Sequence, residues 1–191
     1  MNRMNIETSR LVIRPFVRED LVVIQRILGQ DFGEAGSGSA AVRDPGSWLE
    51  WQILNQEWFE KMRQPPYGDR AIVLKTSKQP IGAVGYVPCL APFEQIPELA
   101  GGSTWRGGYT TEFGLFYAID PEHQGQGYAT EAAGAMLERA FKELQLKRVV
   151  AMTDFTNLAS QKVMSKLGMK LTRNPLAEPT WLQVVGVSEN P

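Results

Sequence analysis

A run of apolar, strand-like residues, 113–119, passes through Asp120-Pro121 into a turn that holds Gly125 and Gly127, and a long amphipathic helical pattern leaves that turn. This junction constrains the chain more than any other stretch. N–H groups at the start of a helix have no intrahelical partner and mark the positive end of its dipole. Glycines remove the Cβ atoms that would keep a ligand away from them. Such a turn favours an anion, and we expect a phosphate or pyrophosphate there. Two nucleotide loops do not fit. The dinucleotide fingerprint needs a third glycine where this chain has Thr130. The P-loop needs Gly-Lys-Ser/Thr, a triplet the sequence lacks.

Composition narrows the function classes. At 191 residues and 43% hydrophobic, the chain is expected to form one domain, residues 1–191. A net charge of −1 gives no basic excess for nucleic acid. No apolar run approaches the ~18 residues of a membrane span, and Met1-Asn2-Arg3-Met4-Asn5 lacks the core of a signal peptide. Cys89 is the sole cysteine, so no internal disulfide forms and a cytoplasmic location is expected. His123 is the sole histidine; a Ser-His-Asp triad or multi-histidine metal site would have to be built on it. No metal is expected.

Taken in order, residues 8–16 alternate as a strand with Leu11 and Ile13 on one face, and Pro15 marks an end or edge. Leu21, Ile24, Ile27 and Leu28 stripe a short helix that Gly29 can end. Residues 30–46 read as a loop. Ser47-x-x-Glu50 has capping-box form, opening a helix to about Arg63. Trp51, Leu54, Trp58 and Met62 lie along one side of that helix and are expected to pack as its core and rim; the alternative is an acceptor-site lining. Pro65 and Pro66 stop the helix, and strands at 71–74 and 81–87 form a hairpin. Residues 88–108 read as a long irregular loop carrying Phe93, Glu94, Glu98 and Trp105, either a substrate-side flap or a surface excursion.

In the strand 110–119, Phe113, Leu115, Tyr117 and Ile119 take one face and Glu112, Gly114, Phe116 and Ala118 the other. The helix after the turn repeats Ala129, Ala132, Ala133, Met136, Leu137, Ala140, Phe141 and Leu144 at helical spacing. Its first half buries only alanine and can lie close to a sheet. Residues 147–153 form a strand, so the strand-helix-strand unit places two parallel strands in one sheet. Asn157 can cap the next helix, with Gly168 at its end, and 180–187 is a final strand.

Three separated stretches carry a family resemblance. Gln124-x-x-Gly127-x-Ala129 is similar to the acyl-CoA signature Gln/Arg-x-x-Gly-x-Gly/Ala of the GNAT acetyltransferases. Thr8-Ser9-Arg10-Leu11-Val12-Ile13-Arg14 resembles the Thr-x-Arg-Leu-x-Leu-Arg opening of the RimJ/RimL-type branch. Asn157-Leu158-Ala159-Ser160, continuing to Lys166-Leu167-Gly168-Met169, resembles Asn-x-x-Ser…Lys-Leu-Gly-Phe, with Met169 for the usual Phe.

The resemblance implies an α/β fold: a mixed, mostly antiparallel sheet flanked by helices, with a splayed parallel pair, 112–119 and 147–153, that admits acetyl-CoA. It implies that Phe116, Tyr117, Ala118 and Ile119 line the cofactor, with the oxyanion met by N–H groups near 115–117. The pyrophosphate would rest on the backbone of Gln124, Gly125, Gln126, Gly127, Tyr128 and Ala129, with Thr130 and the Gln124 side chain nearby. Asn157 would reach the pantetheine arm or serve as a cap. Lys162 and Lys166 would meet the 3′-phosphate or form a solvated face. Glu112 is expected as general base, through burial, or else as an orienting group; Ser160 is expected as general acid, with Tyr117 as a further donor. His123 is read as exposed or ligand-adjacent. The acceptor would be a primary amine, on a protein N-terminus or a small molecule, and Glu94 and Glu98 could attract its charge. Monomer and homodimer both fit. A non-catalytic acyl-CoA-binding module and an antibiotic or polyamine acetyltransferase are the alternatives.

Overall fold

The computed structural model describes residues 5–31, 44–102 and 106–191. Its strands are β1 Ile6–Glu7, β2 Leu11–Arg14, β3 Gly68–Leu74, β4 Pro80–Ala91, β5 Thr110–Ile119, β6 Arg148–Thr153, β7 Lys170–Arg173 and β8 Val184–Glu189. Its helices are α1 Leu21–Asp31, α2 Pro45–Lys61, α3 Tyr128–Lys142 and α4 Leu158–Lys166. The strands form one eight-stranded sheet in the order β1-β2-β3-β4-β5-β6-β8-β7. Every neighbouring pair is antiparallel except β5 and β6, which the α3 crossover makes parallel. That parallel pair meets only at Gly114 and Val150 and then splays, as expected. At this last contact β4 and β5 also press together. A Cβ on Gly114 would stand 2.8 Å from Cys89 Sγ and 2.9 Å from the Val87 carbonyl oxygen, so only glycine fits.

The faces of the sheet follow the alternation of β4 and β5. Val84, Tyr86, Leu115 and Ile119 pack against Ala132, Ala133, Met136 and Ala140 of α3, whose alanines bring the helix close. The Tyr86 hydroxyl donates to the Met136 carbonyl, fixing α3 to β4. On the opposite face, Ile24, Ile27 and Leu49 of α1 and α2 cover Ala71, Val73 and Ala83. Further along that face, Ala91, Phe93, Ile96 and Leu99 cover Val150, Val185 and Val187.

Several sequence expectations are corrected. α1 continues through Gly29 to Asp31; the ~1 kcal/mol cost of a helical glycine is outweighed by the burial of Ile24, Ile27 and Leu28. α2 is capped by Asp44, which accepts from Gly46 N at 3.0 Å and Ser47 N at 3.2 Å, with Pro45 in the first turn. Glu50 is engaged by Arg18 at 2.8 Å instead of closing a capping box. The side carrying Trp51, Leu54, Trp58 and Met62 is 48–61% exposed, because α2 packs inward through Leu49, Gln52 and Phe59. β4 runs on to Ala91, paired with Thr110, so part of the expected loop is strand. The 92–99 segment is neither flap nor simple excursion: Phe93 and Ile96 are fully buried. Trp105 and the Gly-Ser-Gly-Ser stretch lie outside the described residues. β7 was not foreseen, and the final strand begins at Val184, not 180. Among the described residues, no helix is long and apolar enough to cross a membrane.

Candidate active site

The turn between β5 and α3 takes its shape from two glycines in the left-handed region, Gly125 at φ 74° and Gly127 at φ 82°. Gly127 is the N-cap of α3 and, having no side chain, leaves the first-turn N–H groups uncapped. These amides line one end of a cleft of about 530 Å³, together with Gln124, Gly125, Gly127, Tyr128, Ala129 and Thr130. Gln126 alone of the turn does not line it: its carbonyl accepts from Arg10 Nη1 at 3.0 Å, on the outer side. The Gln124 side chain donates back to the Ile119 carbonyl at 3.0 Å and so braces the turn on the strand before it.

Arg10 belongs to a latch that joins the N-terminal strand to this turn. Glu131 in the first turn of α3 accepts from the Thr8 hydroxyl at 2.6 Å, Ser9 at 3.0 Å, the Arg10 amide at 2.8 Å and Arg10 Nε at 2.6 Å. The Arg10 guanidinium also stacks 4.4 Å from the Tyr128 ring centroid. Burial alone would raise the Glu131 carboxyl, but these donors outweigh it and hold it at about 2, against an ordinary 4.5. The latch is therefore complete above the ordinary value and is lost only as pH falls toward 2. The sequence stretches at 8–14 and 124–131 are one structural unit.

From the turn the cleft runs between the splayed strands, past Leu115, Phe116, Tyr117, Ala118 and Ile119 on β5 and Met152 and Thr153 on β6. Its far wall is α4. Asn157 Oδ1 accepts from Ser160 N at 3.0 Å, so it caps α4 while lining the cleft. Lys162 and Lys166 line the cleft and are exposed, so both readings of them describe the same position. The Tyr117 hydroxyl lies 2.8 Å from Ser160 Oγ and donates to the Ser160 carbonyl at 3.2 Å. Burial pushes the Tyr117 phenol up to about 12, with the Ser160 contact pulling slightly the other way. Tyr117 thus keeps its proton at neutral pH, and the two donor candidates form one pair.

Glu112 stands elsewhere. It is 6% exposed and lies two residues before the Gly114/Val150 contact, beside Arg148 in the same position on β6. Arg148 Nε binds one carboxylate oxygen at 2.7 Å and Nη2 binds the other. Glu112 does not line the cleft, and an amine using it as base would have to displace the guanidinium. Arg148 and Arg10 were not singled out as site residues from the sequence, because their partners lie across strands whose register only the fold sets. Of the acceptor-charge candidates, Glu98 is engaged by Lys170 at 3.3 Å.

His123 lines the cleft beside the turn. It, Asp120 and Glu122 bring ligand atoms within 4.8 Å of one another. The Arg26 guanidinium, 2.9 Å from Asp120 and 3.8 Å from Glu122, already supplies positive charge there. A second groove of about 360 Å³ lies between β1 and α3, where Arg139 pairs with Glu143 at 3.1 Å and Lys142 with Glu138 at 2.7 Å.

Comparison with known proteins decides the family. Residues 10–170 match the family described as "Acetyltransferase (GNAT) domain". The chain belongs to the GNAT acetyltransferases. GNAT domains are acyltransferases that use acetyl-CoA, and the sheet with its one parallel pair is the GNAT fold. Among curated relatives, YjdG of Bacillus subtilis (strain 168), an uncharacterized N-acetyltransferase, is 25% identical over 182 residues, 94% of this chain and 97% of YjdG. YnaD of the same organism, also an uncharacterized N-acetyltransferase, is 44% identical over 64 residues, 34% of this chain and only 36% of YnaD. The crystal structure of an acetyltransferase from Agrobacterium tumefaciens str. C58 has the same GNAT fold, with TM-score 0.70 and 21% identity over 97% of this chain and 94% of that one. RimL, described as ribosomal L7/L12 alpha-N-protein acetyltransferase in complex with coenzyme A, aligns with TM-score 0.62 and 11% identity over 96% of this chain and 95% of its own.

Proposed function

We propose that this GNAT protein transfers the acetyl group of acetyl-CoA to a primary amine by direct attack. The observation that carries the proposal is continuity: one cleft joins the uncapped amides at Gly127 to the Tyr117–Ser160 pair. The turn would hold the diphosphate by charge-assisted N–H bonds, and Asn157 would meet the pantetheine arm. The amides of β5 beyond Gly114, released from β6 by the splay, would meet the oxyanion. Tyr117, polarised through Ser160, would protonate the departing thiolate. Glu112, held by Arg148, would fix the apex of the split from which the cleft opens.

The acceptor belongs with the RimJ/RimL type: a protein N-terminus, such as that of a ribosomal protein, or a small amine in its place. The Thr8-x-Arg10-Leu11 and Asn157-x-x-Ser160 stretches support that branch. We read residues 1–191 as one such domain, monomeric or homodimeric, working in the cytoplasm. A non-catalytic acyl-CoA-binding module is the second reading, and the Tyr117–Ser160 hydroxyl pair set in the cleft favours the enzyme.

Calorimetric titration tests the binding half. CoA is expected to bind near micromolar, about −8 kcal/mol, with no comparable affinity for NAD or ATP. Thiol release from acetyl-CoA across a panel of N-terminal peptides and small amines tests the transfer half. Absence of CoA binding contradicts the whole proposal, and CoA binding without thiol release on any amine leaves the binding module.

A further inference from the structure

Opposite α3, the described residues leave a strip of the sheet uncovered. α1 and α2 cover the face over Ala71, Val73 and Ala83, and the 91–99 segment covers it over Val150, Val185 and Val187. Between these covers Val87 of β4 is 40% exposed. On this face the registers Asp69↔Gly85 and Gly85↔Phe116 put Asp69, Gly85 and Phe116 in one row across three strands. Directly opposed residues project to the same side. Phe116 ends that row at the cleft.

Asp69 is 4% exposed, an unusual place for a carboxylate. Gln52 of α2 braces it: Gln52 Nε2 donates to Oδ2 at 3.0 Å, and Gln52 Oε1 accepts from the Asp69 amide at 3.2 Å. Oδ1 has no hydrogen-bond partner among the described residues. A Cβ on Gly85 would stand 2.4 Å from Asp69 Cα and from the Gly68 carbonyl oxygen and 2.5 Å from Oδ1, so glycine lets β3 and β4 close together and leaves Oδ1 beside the strand next to β5. An ion-paired carboxylate such as Glu112 is already satisfied. Asp69, like Glu112, does not itself line the cleft, but it has no ion-pair partner to displace: it is held on one side by Gln52, carries an unused acceptor on the other, and shares its row with Phe116, which does line the cleft.

We propose that Asp69 is the group that takes the proton from the incoming amine, which enters from the α1/α2 face; this rests on the acetyltransferase reading above. The ammonium gives one proton to Asp69, directly or through a water. The freed nitrogen pair attacks the thioester carbonyl, and the C–S bond breaks as the C–N bond forms. The departing thiolate takes the Tyr117 proton, the second amine proton restores Tyr117, and Asp69 releases its proton to solvent. Burial pushes the Asp69 carboxyl up to about 7, into the range a base needs. Among the described residues, the groups sharing its face are neutral Gln52 from α2, Cys89 from β4, whose thiol burial raises, and Glu112 from β5, already paired with Arg148 of β6.

The test is the pH profile of kcat/KM for an amine found in the thiol-release screen, with CoA titration and thermal melting run beside it. Wild type should lose rate as pH falls through about 7. Asp69→Asn, nearly isosteric and still able to accept from Gln52, should lose about 10²-fold at pH 7 together with that limb, keeping CoA affinity within about threefold. Gln52→Leu removes a donor to the charged form, so it should move the limb to higher pH. A wild-type profile flat from pH 6 to 8, a limb that survives in Asp69→Asn, or one that Gln52→Leu leaves in place overturns the assignment. Loss of CoA binding or of all thiol release in wild type counts instead against the acetyltransferase reading.

Discussion

Tyr117→Phe is expected to lower kcat by about 10²- to 10⁴-fold, the usual contribution of a positioned proton donor, while CoA affinity changes little. The phenol is poised for this. Its hydroxyl lies 2.8 Å from Ser160 Oγ in the cleft between the splayed strands. A proton delivered to the departing thiolate keeps it from returning to the carbonyl, and Phe preserves the packing while deleting the donor. Ser160→Ala should cost less, about tenfold, because Tyr117 would still reach the Ser160 carbonyl. Stopped-flow thiol release measures both. If the phenylalanine variant turns over within threefold of wild type, Tyr117 is a packed aromatic and nothing more.

Gly127→Val should raise the dissociation constant for CoA by about a hundredfold or more. Residue 127 sits at φ 82°, where a β-branched residue is strained by about 1–2 kcal/mol. Relaxing that strain turns the first amides of α3 away from the ligand, and each lost hydrogen bond to a charged group costs roughly 1.5–3 kcal/mol. A Cβ there would lie 3.6 Å from Arg10 Nη2, an ordinary contact, so the expected effect comes from the backbone and not from crowding of the latch. Calorimetric titration reads the affinity, and far-UV circular dichroism checks that α3 persists. Near-native affinity would mean that the diphosphate is held elsewhere.

What the sequence disclosed and what it hid divide along a physical line. The glycine turn, the alanine-faced helix and the parallel strand pair were legible because turn chemistry and periodicity are local. The Asn157 cap was legible for the same reason, and Ser160 through its motif. The inner face of α2 was not. Two apolar stripes compete on that helix, and only the shape of the sheet decides that Leu49 and Phe59 go inward while Trp51 and Trp58 stay out. The length of β4 depends on a partner strand twenty residues away, so Pro88 and Cys89 read as loop. Glu112 looked like an unpaired carboxylate at the head of a strand. The point where β5 and β6 part sets Arg148 beside it, and no local pattern records that point. Asp69 was hidden by its own surroundings, one acid at the front of an apolar strand, and its meaning comes from the glycine opposite.

The central claim is that amides at Gly125 and Gly127–Thr130 hold the diphosphate of coenzyme A and so place its sulfur between β5 and β6. A crystal structure of the complex with CoA tests it most directly. The expected result puts diphosphate oxygens about 2.7–3.2 Å from those backbone nitrogens and the sulfur beside Tyr117. A diphosphate seated in the groove between β1 and α3, or a sulfur lying outside the β5/β6 split, would contradict it.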